Sequence, residues 1–364
     1  MRLTLDRFVL TKAVPLAISR GTTGQVERLL VGVEHEGLRG IGETGGFETG
    51  HRAFSTEAVA AELAALAPAL EAWAPAPLQA LEPLLAPLSP PARCGLDLAL
   101  HDWWGQRLGL PLQRLWSLDP GVGVATSVTL GLGQPAAVLA RLERWWAQLP
   151  ATRIKLKLGS PAGPDHDRAL VAAVGAAIDQ RRQATGTAIE LQVDANGGWD
   201  LATARRLIPW LAERGVVLVE QPLAPLADLE ADTAGFAALA GLAPVPLVAD
   251  ESCWTVPDLL RLAPHVQGVN IKLLKSGGLA EALLMARLAR RLGLAVMVGC
   301  YSDSALLNGA AAQLLPLVHW PDLDSHLNLV DDPFVGPRLE GDRLRPGEGP
   351  GLGVRPSLVG GSPC

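Results

Sequence analysis

Three carboxylates close three short apolar runs: Asp194 in "LQVDAN", Glu220 in "LVEQP" and Asp250 in "VADES". They stand 26 and then 30 residues apart, each step close to the length of one strand-plus-helix unit. On neighbouring parallel strands they would lie side by side, and adjacent buried carboxylates repel unless something cationic lies between them. A hard, oxygen-liganded ion answers that need. Mg2+, one per site, is the expected choice because it takes few carboxylates and leaves positions for substrate oxygens. Any one of the three alone reads equally well as a helix cap or an ion-pair partner, but three in phase are harder to explain that way.

Lysines mark the flanks of the same region. In "RIKLKLG", residues 153 to 159, alternation sends Lys155 and Lys157 to one face and Ile154, Leu156 and Leu158 to the other. Lys272 in "NIKLLK" ends a later strand. Counted as the second and sixth strands of an eight-stranded barrel, the two lysine strands face each other, and the three carboxylate strands fill the arc between them. A substrate carboxylate on the cation would then have an amine on either side of its α-carbon. Such a site moves a proton off one face and onto the other. Lys157 is the expected base, with Lys155 beside it to push the shared pKa down from near 10.4, where a lone lysine stays protonated. An exposed edge strand would alternate in the same way. Lys275, three residues past Lys272 and off the strand phase, reads as a loop charge.

These residues need a frame. From about residue 120 the sequence alternates short apolar runs with amphipathic segments. The strand candidates are "VATSVTL", "RIKLKLG", "IELQVDAN", "VVLVEQP", "PLVADES", "GVNIKLL", "AVMVGCY" and "WPDLDS". Eight strands with helices between them, and a short or missing last helix, predict an α/β fold, a TIM-like (β/α)7β barrel over residues 119–330. Residues 1–118 read as an α+β unit, and the Gly- and Pro-rich segment 331–364 as a return to it. With 364 residues, 49% of them hydrophobic, the chain has ample core material. Its net charge of −6 is spread without a basic run, which argues against nucleic acid or an anionic membrane surface and favours a small-molecule partner. Cys94, Cys253, Cys300 and Cys364 show neither zinc-site nor disulfide spacing. The start, broken by Arg2, Asp6, Arg7 and Lys12, lacks a signal-peptide core, and no run is long enough to span a membrane; a cytoplasmic protein is expected. "GLGQPA" lacks the third glycine of a dinucleotide fingerprint, and the histidines form no spaced cluster.

In order, "KLK", "DAN", "VEQP", "ADES", "NIKLLKSGG" and "MVGC", with "GIGE" and "DLALHDWWGQRLGLPL" upstream, resemble the muconate-lactonising-enzyme subgroup of the enolase superfamily. The resemblance covers nearly the whole chain. It implies an α+β capping domain, built from the N-terminal region and the C-terminal tail, whose loops close over the barrel mouth. It also implies a Mg2+-stabilised enediolate. The subgroup includes cycloisomerases, o-succinylbenzoate synthases, N-acylamino-acid racemases and dipeptide epimerases. Here the eighth strand reads "PDLDSH", with Asp322 and Asp324 in phase, and this Asp-x-Asp is most similar to the dipeptide epimerases, in which the pair holds the substrate's α-ammonium. A polar turn after Pro321 is the plain alternative.

The resemblance further implies that Arg20, in "ISRG", reaches the substrate side chain and that Thr129 helps hold the dipeptide. Asn196 and Glu251 are expected to support the ligating carboxylates. Asp303 stands where the family often has Glu, which bears on pocket shape. The resulting expectation is an epimerase inverting the C-terminal residue of an L-Ala-L-Xaa dipeptide, with homo-oligomer formation open. Xaa is also open: Arg20 suits an acidic side chain, and Glu48 and Asp303 a basic one. A lyase or cycloisomerase of the same superfamily is the nearest alternative, and a non-catalytic dipeptide-binding barrel a more distant one.

Overall fold

The computed structural model describes residues 1–73, 78–119 and 121–357; Cys364 and the rest of the end from residue 358 lie outside the described residues. Eight strands form one sheet in chain order: Val128–Leu130, Arg153–Lys157, Glu190–Asp194, Val216–Glu220, Leu247–Ala249, Gly268–Ile271, Ala295–Gly299 and Trp320–Asp322. Every neighbouring pair is parallel. Ser127 donates its N–H to the Pro321 carbonyl at 2.9 Å and so joins the two outer strands. Helices Pro135–Gln148, Pro164–Thr185, Leu201–Ala212, Leu229–Ala240, Val256–Leu262, Leu279–Arg291 and Ala305–Ala312 follow the first seven strands. After the eighth comes only a 3-10 turn, Ser325–Asn328, so the barrel is (β/α)7β as expected.

The second strand shows why the sequence folds this way. Ile154 and Leu156 point outward and join Leu142, Leu170, Val171 and Val174 in the layer between sheet and helices. Each apolar side chain buried there contributes about 1.5–3 kcal/mol. Lys155 and Lys157 consequently point inward, and both are buried. Apolar packing outside the sheet thus fixes the positions of charges inside it.

The N-terminal strands Arg2–Ile18, Gly21–His35 and Leu38–Thr44 form an antiparallel sheet. Helix Pro90–Leu108 packs on it so closely that a Cβ on Gly40 or Gly42 would collide with the backbone of Ala99 or Gly95. The glycines of "GIGE" permit this contact. The register of the first hairpin shifts between Thr11 and Leu16, and this irregular stretch leans across the end of the barrel. Leu132 donates its N–H to the Ala17 carbonyl at 2.8 Å, and Val14 donates its N–H to Asn328 Oδ1 at 3.2 Å. Further on, Arg343–Arg345 pairs with Val124–Ala125, while the Leu352 N–H donates to Asp102 Oδ1 at 2.9 Å. Cys94, Cys253 and Cys300 are free thiols. Among the described residues no helix is long and apolar enough to cross a membrane.

Candidate active site

Asp194 and Glu220 are the last residues of their strands and lie in register with each other; Asp250 follows directly on the next strand. All three are fully buried, and one oxygen from each lies within 4.8 Å of the others. Asn196 donates from Nδ2 to Asp194 Oδ2 at 3.1 Å, and Asn270 from Nδ2 to Glu220 Oε1 at 2.8 Å. Burial and the charge of Asp194 push the Glu220 carboxyl up to about 8. Asp194 goes the other way, to about 2: burial would raise it, but Lys157 and Lys155 outweigh burial. Convergent hard oxygens, with Glu220 Oε2 making no aligned hydrogen bond, are the donor set a Mg2+ ion takes. The residues fit the ion.

Lys157 Nζ lies 2.6 Å from Asp194 Oδ2, and Lys272 Nζ 2.7 Å from Asp250 Oδ2. The two lysines stand on the second and sixth of eight strands and line one cavity of about 220 Å³. Burial alone would lower Lys272, yet the Asp250 charge carries it well above the usual lysine range. Its ammonium also sits 4.5 Å from the Tyr301 ring centroid. Lys155 is engaged more fully than a mere neighbour of Lys157 would be. Its Nζ lies 2.6 Å from Asp322 Oδ2, 2.7 Å from Glu220 Oε2 and 3.3 Å from Asp194 Oδ2. Burial pulls its pKa down, but these three carboxylates prevail and hold it well above normal. Lys155 is therefore their shared counter-ion.

Lys275 corrects the sequence reading. It is no loop charge: it is fully buried, with Nζ 2.7 Å from Asp250 Oδ1, and it also donates to the Asp250 carbonyl. The sixth strand ends at Ile271, and the helical turn Leu273–Ser276 swings Lys275 back beneath Asp250, where strand phase no longer applies. Asn270 and Gln221 also brace the carboxylates. Asn270 is two residues before Lys272 and hence in phase with it, a signal that was present. Gln221 accepts the N–H groups of Asp250 and Ser252 at Oε1, at 2.9 and 3.2 Å.

Asp322 accepts from Lys155 and, at 2.6 Å, from Ser127 Oγ. Asp324 Oδ2 accepts the Thr129 N–H at 2.6 Å, and burial together with the Asp322 charge raises its pKa. Arg20 donates to Glu251 Oε1 at 2.8 Å and to the Asn196 carbonyl at 2.7 Å. Its charge is thus matched within the protein. Asp303 accepts from Arg28 at 2.9 Å and from the Tyr301 N–H at 2.9 Å; it does not line the cavity of the two lysines. Leu16, Ile18, Val26 and Phe47 of the N-terminal unit do line it, together with Glu48, Arg20, Asn196 and Glu251.

Comparison with known proteins decides the family. The mandelate racemase / muconate lactonizing enzyme N-terminal domain model matches residues 3–116, and the enolase C-terminal domain-like model matches residues 137–358. The chain belongs to this family. Among enolase-superfamily relatives, a hydrophobic dipeptide epimerase from Flavobacteria bacterium (strain MS024-2A) is 37% identical, the match covering 97% of this chain and 98% of that protein. One from Roseobacter litoralis is 36% identical over the same shares. The solved structure of a dipeptide epimerase from Enterococcus faecalis V583, complexed with Mg and L-Leu-L-Tyr, superposes with a TM-score of 0.82 at 28% identity. That match covers 97% of this chain and 98% of the other.

Proposed function

We propose that this enolase-superfamily protein is a Mg2+-dependent dipeptide epimerase that inverts the α-carbon of a C-terminal apolar residue, as in L-Ala-L-Leu. One observation carries the reading: Lys157 and Lys272 enter one cavity from opposite walls, with Asp194, Glu220 and Asp250 on the arc between them. Bound at the three carboxylates, Mg2+ would neutralise the partners of both lysines and offset the negative charge that develops on the substrate carboxylate. Lys157 removes or returns the α-proton on one face, and Lys272 does so on the other, so each direction of epimerisation uses one as base and the other as acid. Lys155 keeps the metal-binding carboxylates and Asp322 from repelling one another. Lys275 and Asn270 fix the orientation of Asp250 and Glu220.

Asp322 and Asp324 stand at the end of the eighth strand, across the barrel from Glu220 on the fourth, and are assigned the substrate α-ammonium. A lyase substrate without an ammonium would give the Asp322 and Asp324 pair no group of its own to hold. The apolar preference follows from Leu16, Ile18, Val26 and Phe47 around the cavity, and from Arg20 being already paired with Glu251. The names of the hydrophobic dipeptide epimerases support it. The test is incubation with Mg2+ and L-Ala-L-Leu in D2O, followed by mass spectrometry. Deuterium at the C-terminal α-carbon together with the L,D product is expected. An intact dipeptide that never exchanges, across an L-Ala-L-Xaa panel, would overturn the assignment.

A further inference from the structure

Tyr301 and Leu16 line both the cavity of the two lysines and a second, smaller one of about 40 Å³. Lys12, Thr129, Arg141, Asp324 and Asn328 border that second cavity. Lys12 is only 7% exposed, and among the described residues its ammonium has no hydrogen bond or ion pair. An unpaired buried ammonium is costly, so its persistence in the fold asks for a partner that comes from outside. Arg141 is the second cation there. It donates to Asn328 Oδ1 at 2.9 Å, stacks 4.1 Å from the Trp145 ring centroid, and among the described residues makes no ion pair with a carboxylate. Burial lowers the pKa of both groups; the Asp324 charge offsets this only in part for each, as does Asp303 for Lys12.

Among the described residues Asp324 is the only acidic one lining this cavity, and the epimerase reading gives its charge to the substrate ammonium. With Asp324 taken up by that ammonium, the cavity keeps two cations, Lys12 and Arg141, and among its described lining residues no further anion to match them. We propose that this cavity is a subsite for a short acidic side chain on the first residue, so that an L-Asp-L-Xaa dipeptide, Xaa apolar, is a better substrate than its L-Ala counterpart. The volume suits it: at ~10–15 Å³ per enclosed water, the space holds about three waters, close to a carboxymethyl group. A neutral first residue leaves Lys12 as unmatched as it is in the free protein. This inference rests on the dipeptide-epimerase reading.

The test measures kcat/KM for α-deuterium exchange at the leucine of L-Asp-L-Leu, L-Ala-L-Leu and L-Lys-L-Leu with the wild-type protein and Mg2+. L-Asp-L-Leu is expected to exceed L-Ala-L-Leu by about tenfold or more, with L-Lys-L-Leu lowest, as for a site built around a polar partner. Lys12→Met should collapse the Asp-to-Ala ratio toward one, and Arg141→Met should reduce it less. A wild-type protein that turns over L-Ala-L-Leu as well as L-Asp-L-Leu overturns the subsite and leaves the epimerase reading intact. So does a Lys12→Met protein that keeps the wild-type ratio. Absence of exchange from every dipeptide overturns both. The wild-type panel decides the matter even if a variant fails to fold.

Discussion

Between Lys157 and Lys272 the barrel wall carries Asp194, Glu220 and Asp250, each fully buried and each within ion-pair distance of a lysine. Across the cavity the N-terminal unit presents Leu16, Ile18, Val26 and Phe47, and its two cations there, Arg20 and Arg28, are already held by Glu251 and Asp303. The wall's charges sit at strand ends, where hydrogen-bonded register fixes them: Lys157 opposite Asp194, and Asp194 opposite Glu220. The residues facing them come from a hairpin and a loop some hundred positions earlier, with no ladder tying them to the wall. Rigid neighbours suit proton transfer, which tolerates little misplacement. An apolar face that leans on the barrel through a few contacts can change its shape without disturbing that chemistry. The division predicts that wall and cap substitutions fail in different kinetic terms.

The largest effect should come from the wall. Lys157→Ala and Lys272→Ala should each lower α-proton exchange by about 10²–10⁴-fold or more, with KM little changed, because the lost group acts on the proton rather than on binding. Stopped-time mass spectrometry in D2O checks this. If either variant exchanges at the wild-type rate, the two-lysine reading is wrong. Asn270→Ala comes next. It removes the hydrogen bond that orients Glu220, and Mg2+ affinity by calorimetry should fall about 10–100-fold, the usual cost of losing a group that steadies a metal ligand. An unchanged affinity would mean that Glu220 does not hold the ion.

Much of the wall was legible in sequence because a strand's period of two turns spacing into direction. Lys155 and Lys157 had to share a face once Ile154 and Leu156 faced the helices, and the repeat length set the three carboxylates side by side. The same rule failed at Lys275, since a helical turn begins two residues earlier and replaces one period by another. Pairings across the chain were not legible at all. Arg20 and Glu251 are 231 positions apart, and Arg28 and Asp303 are 275 apart. Nothing local marks Arg20 as neutralised or Asp303 as tied to Arg28 rather than free to enter the pocket. The acidic expectation for Xaa rests on Arg20 read singly, and the basic one on Asp303 together with Glu48, which does line the cavity.

On the cap side, Phe47→Ala should raise KM for L-Ala-L-Leu about tenfold, or ~1.4 kcal/mol, while kcat stays within about twofold, because the lost contact is equal in ground and transition states. A loss of kcat instead would show that the cap positions the reacting groups and that the division between the regions is too sharp.

The smallest effect concerns the turn Ser325–Asn328, where wall and cap meet: Asn328 accepts from Val14 of the first hairpin, and His326 lies 2.8 Å from Asn308 Nδ2 through Nδ1. Burial pushes His326 down to about 4 from 6.5. Below 6.5 the unfolded chain therefore takes up a proton that the folded protein refuses until about 4, so this residue's contribution is complete above 6.5 and is lost as pH falls toward 4. Thermal unfolding at pH 7 and pH 5 should show a drop in Tm of a few degrees that His326→Gln reduces. If the variant keeps the whole drop, the acid sensitivity lies at His51 or His319, which burial also lowers, and not at the junction.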